Sequence, residues 1–155
     1  MDGSEIRLAS PAEYRAVARC VDAAYAMYVP RIGKKPAPML ADYAALISAG
    51  SVYVIPGSPA VRGILVVEPR SDHIFIENVA VHPDHQGVGL GRQLMRFVEE
   101  HAIAHQVNEL RLYTHELMIE NLSYYAKLGY EEVERRVEDG YSRIFMRKRL
   151  ARPPN

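Results

Sequence analysis

Apolar positions along this chain follow two rhythms, and the switches between them mark out its elements. Ile6, Arg7 and Leu8 read as a short strand; Pro11 then suits the first turn of a helix, and Val17, Val21, Ala24 and Tyr25 recur at helical spacing until the pattern fades near Tyr28. Residues 29–39 hold three prolines, a glycine and three positive charges, so they predict a connection without regular structure. A short helix over 40–47, closed by Gly50, follows. Residues 51–55 and 61–67 read as strands joined by the turn cluster Pro56-Gly57-Ser58-Pro59, and 73–81 as the next strand, after the turn at Arg70-Ser71-Asp72. Three neighbouring antiparallel strands are implied. Leu90, Leu94, Phe97, Val98, His101 and Ala102 then make one apolar stripe of a helix, with Arg96, Glu99 and Glu100 pointing elsewhere. Residues 110–114 alternate like a half-buried strand, and a helix over 119–128 is stopped by Gly129. Strands at 130–137 and 141–148 flank Glu138-Asp139-Gly140, where Asp-Gly is a strong hairpin signal. The order is β-α-α-β-β-β-α-β-α-β-β: seven strands and four helices, a mixed α/β (α+β) class.

A length of 155 residues suits one domain, expected over 1–150, with 151–155 as a frayed tail. Hydrophobic content of 48% and charged content of 25% are ordinary globular usage. Nineteen basic side chains balance nineteen acidic ones, so no global field favours nucleic acid or an anionic membrane, and any anion binding must be local. The single cysteine, Cys20, cannot form an internal disulfide, and on a helical pattern it reads as a small packing residue. With neither a charged-then-apolar leader nor a run of eighteen apolar residues in this sequence, the expected address is the cytoplasm.

The chemistry concentrates at 79–95. Val79, Ala80 and Val81 end a β-branched run at His82-Pro83; Gly87, Gly89 and Gly91 follow at alternate positions, and a helical pattern begins at once. Glycines let backbone amides converge on an anion where a Cβ would block it and where φ must be positive. A helix starting there adds unpaired N–H groups and the positive end of its dipole, so phosphate is the expected guest. Two familiar phosphate turns fail on spacing. A mononucleotide loop needs Lys-Ser/Thr after its last glycine, where Arg92-Gln93 stand, and G-x-G-x-x-G needs glycine at 92 or 94, which hold Arg92 and Leu94.

Gln86-x-x-Gly89-x-Gly91 fits a different signature, and here the chain resembles the GNAT superfamily of acyl-CoA N-acyltransferases. Asn121-Leu122-Ser123-Tyr124-Tyr125-Ala126-Lys127-Leu128-Gly129-Tyr130 is similar to the family's second segment, a tyrosine-bearing helix ending in Gly-Phe/Tyr. The two segments anchor roughly residues 61–149. The resemblance implies a mostly antiparallel central sheet in which the strand of 79–81 splays from the strand near Leu112 to admit the acyl-CoA arm. It implies acetyl-CoA as co-substrate and no metal. The family's cradle falls on the backbone amides of Gln86, Gly87, Val88, Gly89, Leu90 and Gly91; Arg92 either adds a contact to phosphate or stands as an exposed first-turn residue. Backbone groups of Val79, Ala80 and Val81 would pair with the pantetheine amides, one N–H polarising the acyl carbonyl.

Tyr125, four residues before Gly129, takes the family's place for the acid that protonates the departing thiolate, with Tyr124 adjacent as a competitor. Asn121, one turn earlier, reads as a pantetheine contact or as an N-cap. Glu77 shares a strand face with Phe75 and Val79 and is the candidate base for the incoming ammonium, directly or through water. The acceptor is expected at the first helices and their connection, where Tyr25, Tyr28 and Arg31, with Lys34 and Lys35, combine aromatic faces and positive charge. His101 and His105, at i and i+4, lack an acidic third ligand in register and read as helix-surface residues. The function expected is transfer of an acetyl group from acetyl-CoA to a primary amine, of a small molecule or a protein, by direct attack in a ternary complex. The alternative is a non-catalytic acyl-CoA sensor on the same fold, and monomer and homodimer both stay open.

Overall fold

The structure is a computed structural model that describes residues 5–57 and 61–151; Ser58 and Pro59 of the expected turn and residues 152–155 of the expected tail lie outside them. The chain divides into two compact units, one of residues up to Val67 with Glu77–Val98, the other of Glu68–Ile76 with residues from Glu99 onward.

In the first unit, β1 (Arg7–Leu8) pairs antiparallel with β2 (Val52–Ile55), and β2 with β3 (Gly63–Pro69). Val52, Val54, Ile64, Leu65 and Val66 are fully buried there, as are Val17, Cys20 and Val21 on α1 (Tyr14–Tyr25). A 3-10 turn at Pro11–Glu13 leads into α1, where Ser10 and Glu13 form a capping box and the Arg7 guanidinium grips both Glu13 oxygens at 2.8 and 2.9 Å. The connection expected over 29–39 is partly helical: α2 spans Tyr28–Ile32. Pro30 is its third residue, inside the first turn, where a missing N–H leaves no intrahelical bond unmade. Gly33, at φ 90°, ends α2 with its N–H on the Val29 carbonyl. The helix expected from 40 starts later, because 37–40 form a 3-10 turn and Asp42 caps α3 (Tyr43–Ser48) by accepting from Ala45 N–H at 3.1 Å.

In the second unit the first residues of β4 (Ile74–Val81) run parallel to β5 (Glu109–His115), Ile74 opposite Leu110 and Ile76 opposite Leu112. A parallel pair needs a long crossover, supplied in the chain by α4 (Leu90–Ala104). β5 pairs antiparallel with β7 (Tyr141–Arg149), and β7 with β6 (Glu131–Glu138), closed by Asp139 and Gly140 at φ 51° and 81°. Both turn residues are left-handed, as a two-residue hairpin of matching twist requires. α5 (Ile119–Lys127) buries Tyr125.

Hydrogen-bonded neighbours give the strand order β1-β2-β3-β4-β5-β7-β6, a mixed α/β fold on a seven-stranded, mostly antiparallel sheet. Among the described residues seven strands match the pattern read from the sequence, and the α-helices number five rather than four, α2 being the addition. No helix among the described residues is long and apolar enough to cross a membrane.

Candidate active site

The end of β4 and the turn after it, where the sequence places the candidate chemistry, lie in the first unit. Along β4, burial alternates, with Ile74, Ile76, Asn78 and Ala80 buried and Phe75, Glu77, Val79 and Val81 half-buried. Glu77 therefore shares its face with Phe75 and Val79, as its parity requires. His82 N–H donates to the Arg62 carbonyl at 2.8 Å, and the Ala80 carbonyl lies 3.4 Å from where a Gly63 Cβ would sit. Even-numbered residues thus turn their main-chain groups toward β3, and the odd-numbered Val79 and Val81 turn theirs away. Those outward carbonyls meet side-chain donors: Tyr25 Oη reaches Val79 O at 3.3 Å, and Gln86 Nε2 reaches Val81 O at 3.0 Å.

Past β4, Pro83–His85 make a 3-10 turn that Gln86 closes, its N–H on the Pro83 carbonyl at 3.4 Å. The Gln86 amide is therefore engaged within the turn, while its side chain braces the turn against the strand. Gly87 and Gly89 stand at φ 84° and 89°, and a Cβ at either would meet nothing within 4 Å. Backbone conformation alone makes them glycines, and the space beside them is open. Gly91 differs from that expectation. It is the second residue of α4 with no positive φ, since the left-handed bends are already made two and four residues earlier. The first intrahelical bond of α4 runs from Gln93 N–H to the Gly89 carbonyl at 3.0 Å, and the N–H groups ahead of it are the helix's orphan donors. Val88, Gly89 and Arg92 are exposed. Two left-handed glycines, open Cβ positions and a fifteen-residue helix starting at the turn suit a pyrophosphate.

Of the residues expected at the acceptor, the two tyrosines are buried and the three cations exposed. Tyr25 and Tyr28 are buried with ring centroids 6.1 Å apart, and Tyr25 Oη donates to Asn78 Oδ1 at 2.7 Å. Arg31 is exposed and lies over the Tyr28 ring, 5.1 Å from its centroid. Lys34 and Lys35 are exposed. Asn78 itself carried no signal in the sequence, because an asparagine in an apolar strand announces no partner 53 residues away.

In the second unit, Tyr125 is buried at 9% exposure while Tyr124 is half-buried, their rings 5.6 Å apart. Asn121 lies within α5 rather than at its N-cap, which is Met118; its amide donates to Met118 Sδ at 3.6 Å. An N-cap needs extended backbone, and Asn121 is already a turn inside the helix. His101 and His105 stack 4.2 Å apart near the end of α4, where burial and then the neighbouring His105 push His101 below the ordinary imidazole value. Among the described residues no group of three or more His, Cys, Asp or Glu could hold a metal ion. A groove of about 570 Å³ crosses β4, β5 and β7, floored by Phe75, Tyr113 and Phe145. Its arginines are already paired, Arg70 with Glu68, Arg111 with Glu109, Arg136 with Glu134 and Arg147 with Glu131, so it offers no net cationic surface.

Residues 19–130 match the Acetyltransferase (GNAT) family. The chain belongs to that family. No curated protein matches the sequence. Among solved structures, the GNAT domain is similar to the PaiA N-acetyltransferase of Thermoplasma acidophilum, solved with coenzyme A, at 14% identity over 94% of this chain and 98% of that one, with a TM-score of 0.78. It is similar to the ribosomal-protein-S18-alanine N-acetyltransferase of Escherichia coli at 18% identity, 96% and 95% coverage and a TM-score of 0.72. The IAA acetyltransferase of Bacillus cereus is 26% identical over 69% of this chain and 82% of that chain, with a TM-score of 0.58. The first two likenesses are of fold. Acetyl transfer is the family's chemistry, and the glycine turn of this GNAT chain stands within the matched residues.

Proposed function

We propose that this protein is an N-acetyltransferase that moves an acetyl group from acetyl-CoA to a primary amine by direct attack in a ternary complex. One observation carries the reading: left-handed Gly87 and Gly89 open the main chain at the start of α4, where orphan N–H groups suit a pyrophosphate. The coenzyme A found with the PaiA N-acetyltransferase supports the choice of ligand. When bound, acetyl-CoA supplies an activated acyl carbon whose bond to sulfur breaks as the bond to nitrogen forms.

The chain's residues do the rest. The N–H groups of Gly87 through Arg92 hold the pyrophosphate, and Arg92, exposed on the first turn of α4, adds charge to it. The outward main chain of Val79 and Val81 aligns the pantetheine arm, with Ala80 between them, and one N–H polarises the acyl carbonyl. Glu77, half-buried on the same strand, takes the proton that the ammonium must lose before nitrogen can attack. Tyr125 gives its phenolic proton to the leaving thiolate, and its burial keeps that transfer from water. Asn121 is assigned to the pantetheine arm, and the first helices and their connection, with Tyr25, Tyr28 and Arg31, to the acceptor. A protein or small-molecule amine is the partner, and the cytoplasm the setting.

The deciding experiment mixes purified protein, acetyl-CoA and a panel of amines and follows free thiol. Tyr125→Phe should keep acetyl-CoA affinity and lose turnover by about a hundredfold, the usual scale of a lost general acid. Saturable acetyl-CoA binding with no thiol release on any amine would instead identify a sensor.

A further inference from the structure

A directed chain of hydrogen bonds, buried at Asn78 and part-buried at Pro38, crosses the first unit. Tyr25 Oη on α1 donates to Asn78 Oδ1 at 2.7 Å; Asn78 Nδ2 donates to Tyr43 Oη at 3.0 Å; Tyr43 Oη donates to the Pro38 carbonyl at 2.5 Å. Each hydroxyl has one proton and each is used, so the direction of the chain fixes which way the Asn78 amide faces. Tyr25, Tyr43 and Asn78 are 9%, 5% and 6% exposed. Burial, partly offset by the Asn78 amide, pushes the Tyr43 phenol well above its ordinary value, so Tyr43 remains a donor throughout the working range of pH. Buried bonds of this kind are costly to break singly, because each break strands a polar group.

The two ends of this chain are what give it a consequence. Asn78 stands between Glu77, assigned to the proton of the amine, and Val79, whose outward main chain is assigned to the pantetheine arm. Pro38 stands in the 33–42 connection, irregular but for the 3-10 turn at Ala37–Leu40, whose Met39 N–H bonds the Pro36 carbonyl at 3.0 Å. That connection belongs to the segment assigned to the acceptor.

We infer that Asn78 is a positioning residue, which through Tyr43 holds the 33–42 connection in fixed register with β4, so that an amine seated on the connection meets Glu77 and the acyl carbonyl in one geometry. Tyr25 is thereby an anchor of this relay, its one proton shared between Asn78 Oδ1 and, more weakly, the Val79 carbonyl at 3.3 Å. The inference rests on the acetyltransferase reading above. It adds that acceptor binding and acetyl-CoA binding are separable, the first depending on this relay and the second on the glycine turn.

Tyr43→Phe removes one oxygen, keeps the ring, and cuts the relay between Asn78 and Pro38; Asn78→Leu cuts it at the centre. Both are compared with the wild type by amine KM, by acetyl-CoA affinity in calorimetry and by hydrogen exchange over residues 33–42. Amine KM should rise roughly five- to tenfold, the scale of one buried hydrogen bond, with acetyl-CoA affinity within about twofold of wild type. Exchange over 33–42 should quicken by a similar factor. Unchanged exchange overturns the inference, as does faster exchange with unchanged amine KM, or an equal loss of acetyl-CoA affinity. If Asn78→Leu does not fold, Tyr43→Phe decides alone. Failure of the wild type itself to acetylate any amine is a separate outcome, visible before any variant is made, and it removes the functional reading and this role together.

Discussion

Two buried side chains show how far a residue's chemistry is set by what surrounds it. Cys20 is 1% exposed, and burial, only partly offset by the His82 backbone, pushes its thiol up to about 11. At pH 8 it is therefore a protonated thiol out of reach. An aromatic disulfide reagent should modify it at least about a hundredfold more slowly in the native protein than in denaturant, where an ordinary thiol of pKa near 8.5 is both exposed and partly ionised. Rapid native-state reaction would contradict its burial. Tyr130 presents the opposite opportunity. Its hydroxyl is buried with no hydrogen-bond partner among the described residues, and burial raises the phenol well above its ordinary value. Tyr130→Phe removes that stranded group and keeps the ring that lies 5.8 Å from Tyr125. The denaturation midpoint should rise, by about 0.5–1 kcal/mol at unchanged m-value. Side-chain partnerships are also where sequence reading stops. The strand face of Glu77 is legible, because parity is local, whereas the hydrogen bond from Tyr25 to Asn78 is not, because the two lie 53 residues apart.

Local rules act over a turn or two, so elements are the scale that pattern reading captures best. All seven strands and the two helices that carry the motifs follow from periodicity and from Gly, Pro and Asp-Gly punctuation. The difference at 28–42 has a local cause: Pro30 and the prolines at 36 and 38 read as breakers, yet Pro30 falls in a first turn and Asp42 moves the start of α3. The capping box ahead of α1 makes an acid test. Arg7, more than the Ser10 amide, holds the Glu13 carboxyl at about 2, well below the ordinary carboxylate range. A lowered folded value means the stabilisation is complete above about pH 4.5 and disappears as pH falls toward 2. Glu13→Gln should therefore cost about 1 kcal/mol at pH 7 and almost nothing near pH 2, read from unfolding midpoints across that range. The glycine turn gives a contrast within a single element. Gly89→Ala forces a Cβ into the left-handed region and should lower stability by about 1–2 kcal/mol, whereas Gly91→Ala, in ordinary helical backbone, should raise it by up to about 1 kcal/mol.

Over the whole molecule, nineteen positive and nineteen negative side chains cancel. On the proposed function, a coenzyme bearing several phosphate charges would not be gathered by a long-range field, and its affinity would come from the donors at the start of α4 and from contacts along the outward edge of β4. This has two measurable sides. Ligand held by a few local groups still stabilises the fold by mass action: acetyl-CoA at a hundred times its dissociation constant should add about 2.7 kcal/mol to unfolding, while ATP, lacking the pantetheine arm, should add far less. Because only local charges attract the phosphates, raising salt from 50 to 200 mM should weaken acetyl-CoA binding by no more than about threefold, unlike ligands drawn by a single-signed surface. A steep loss with salt would mean that arginines besides Arg92 reach the phosphates. Arg92 itself, exposed on the first turn of α4, supplies the modest dependence expected, so Arg92→Gln should flatten it and weaken binding together.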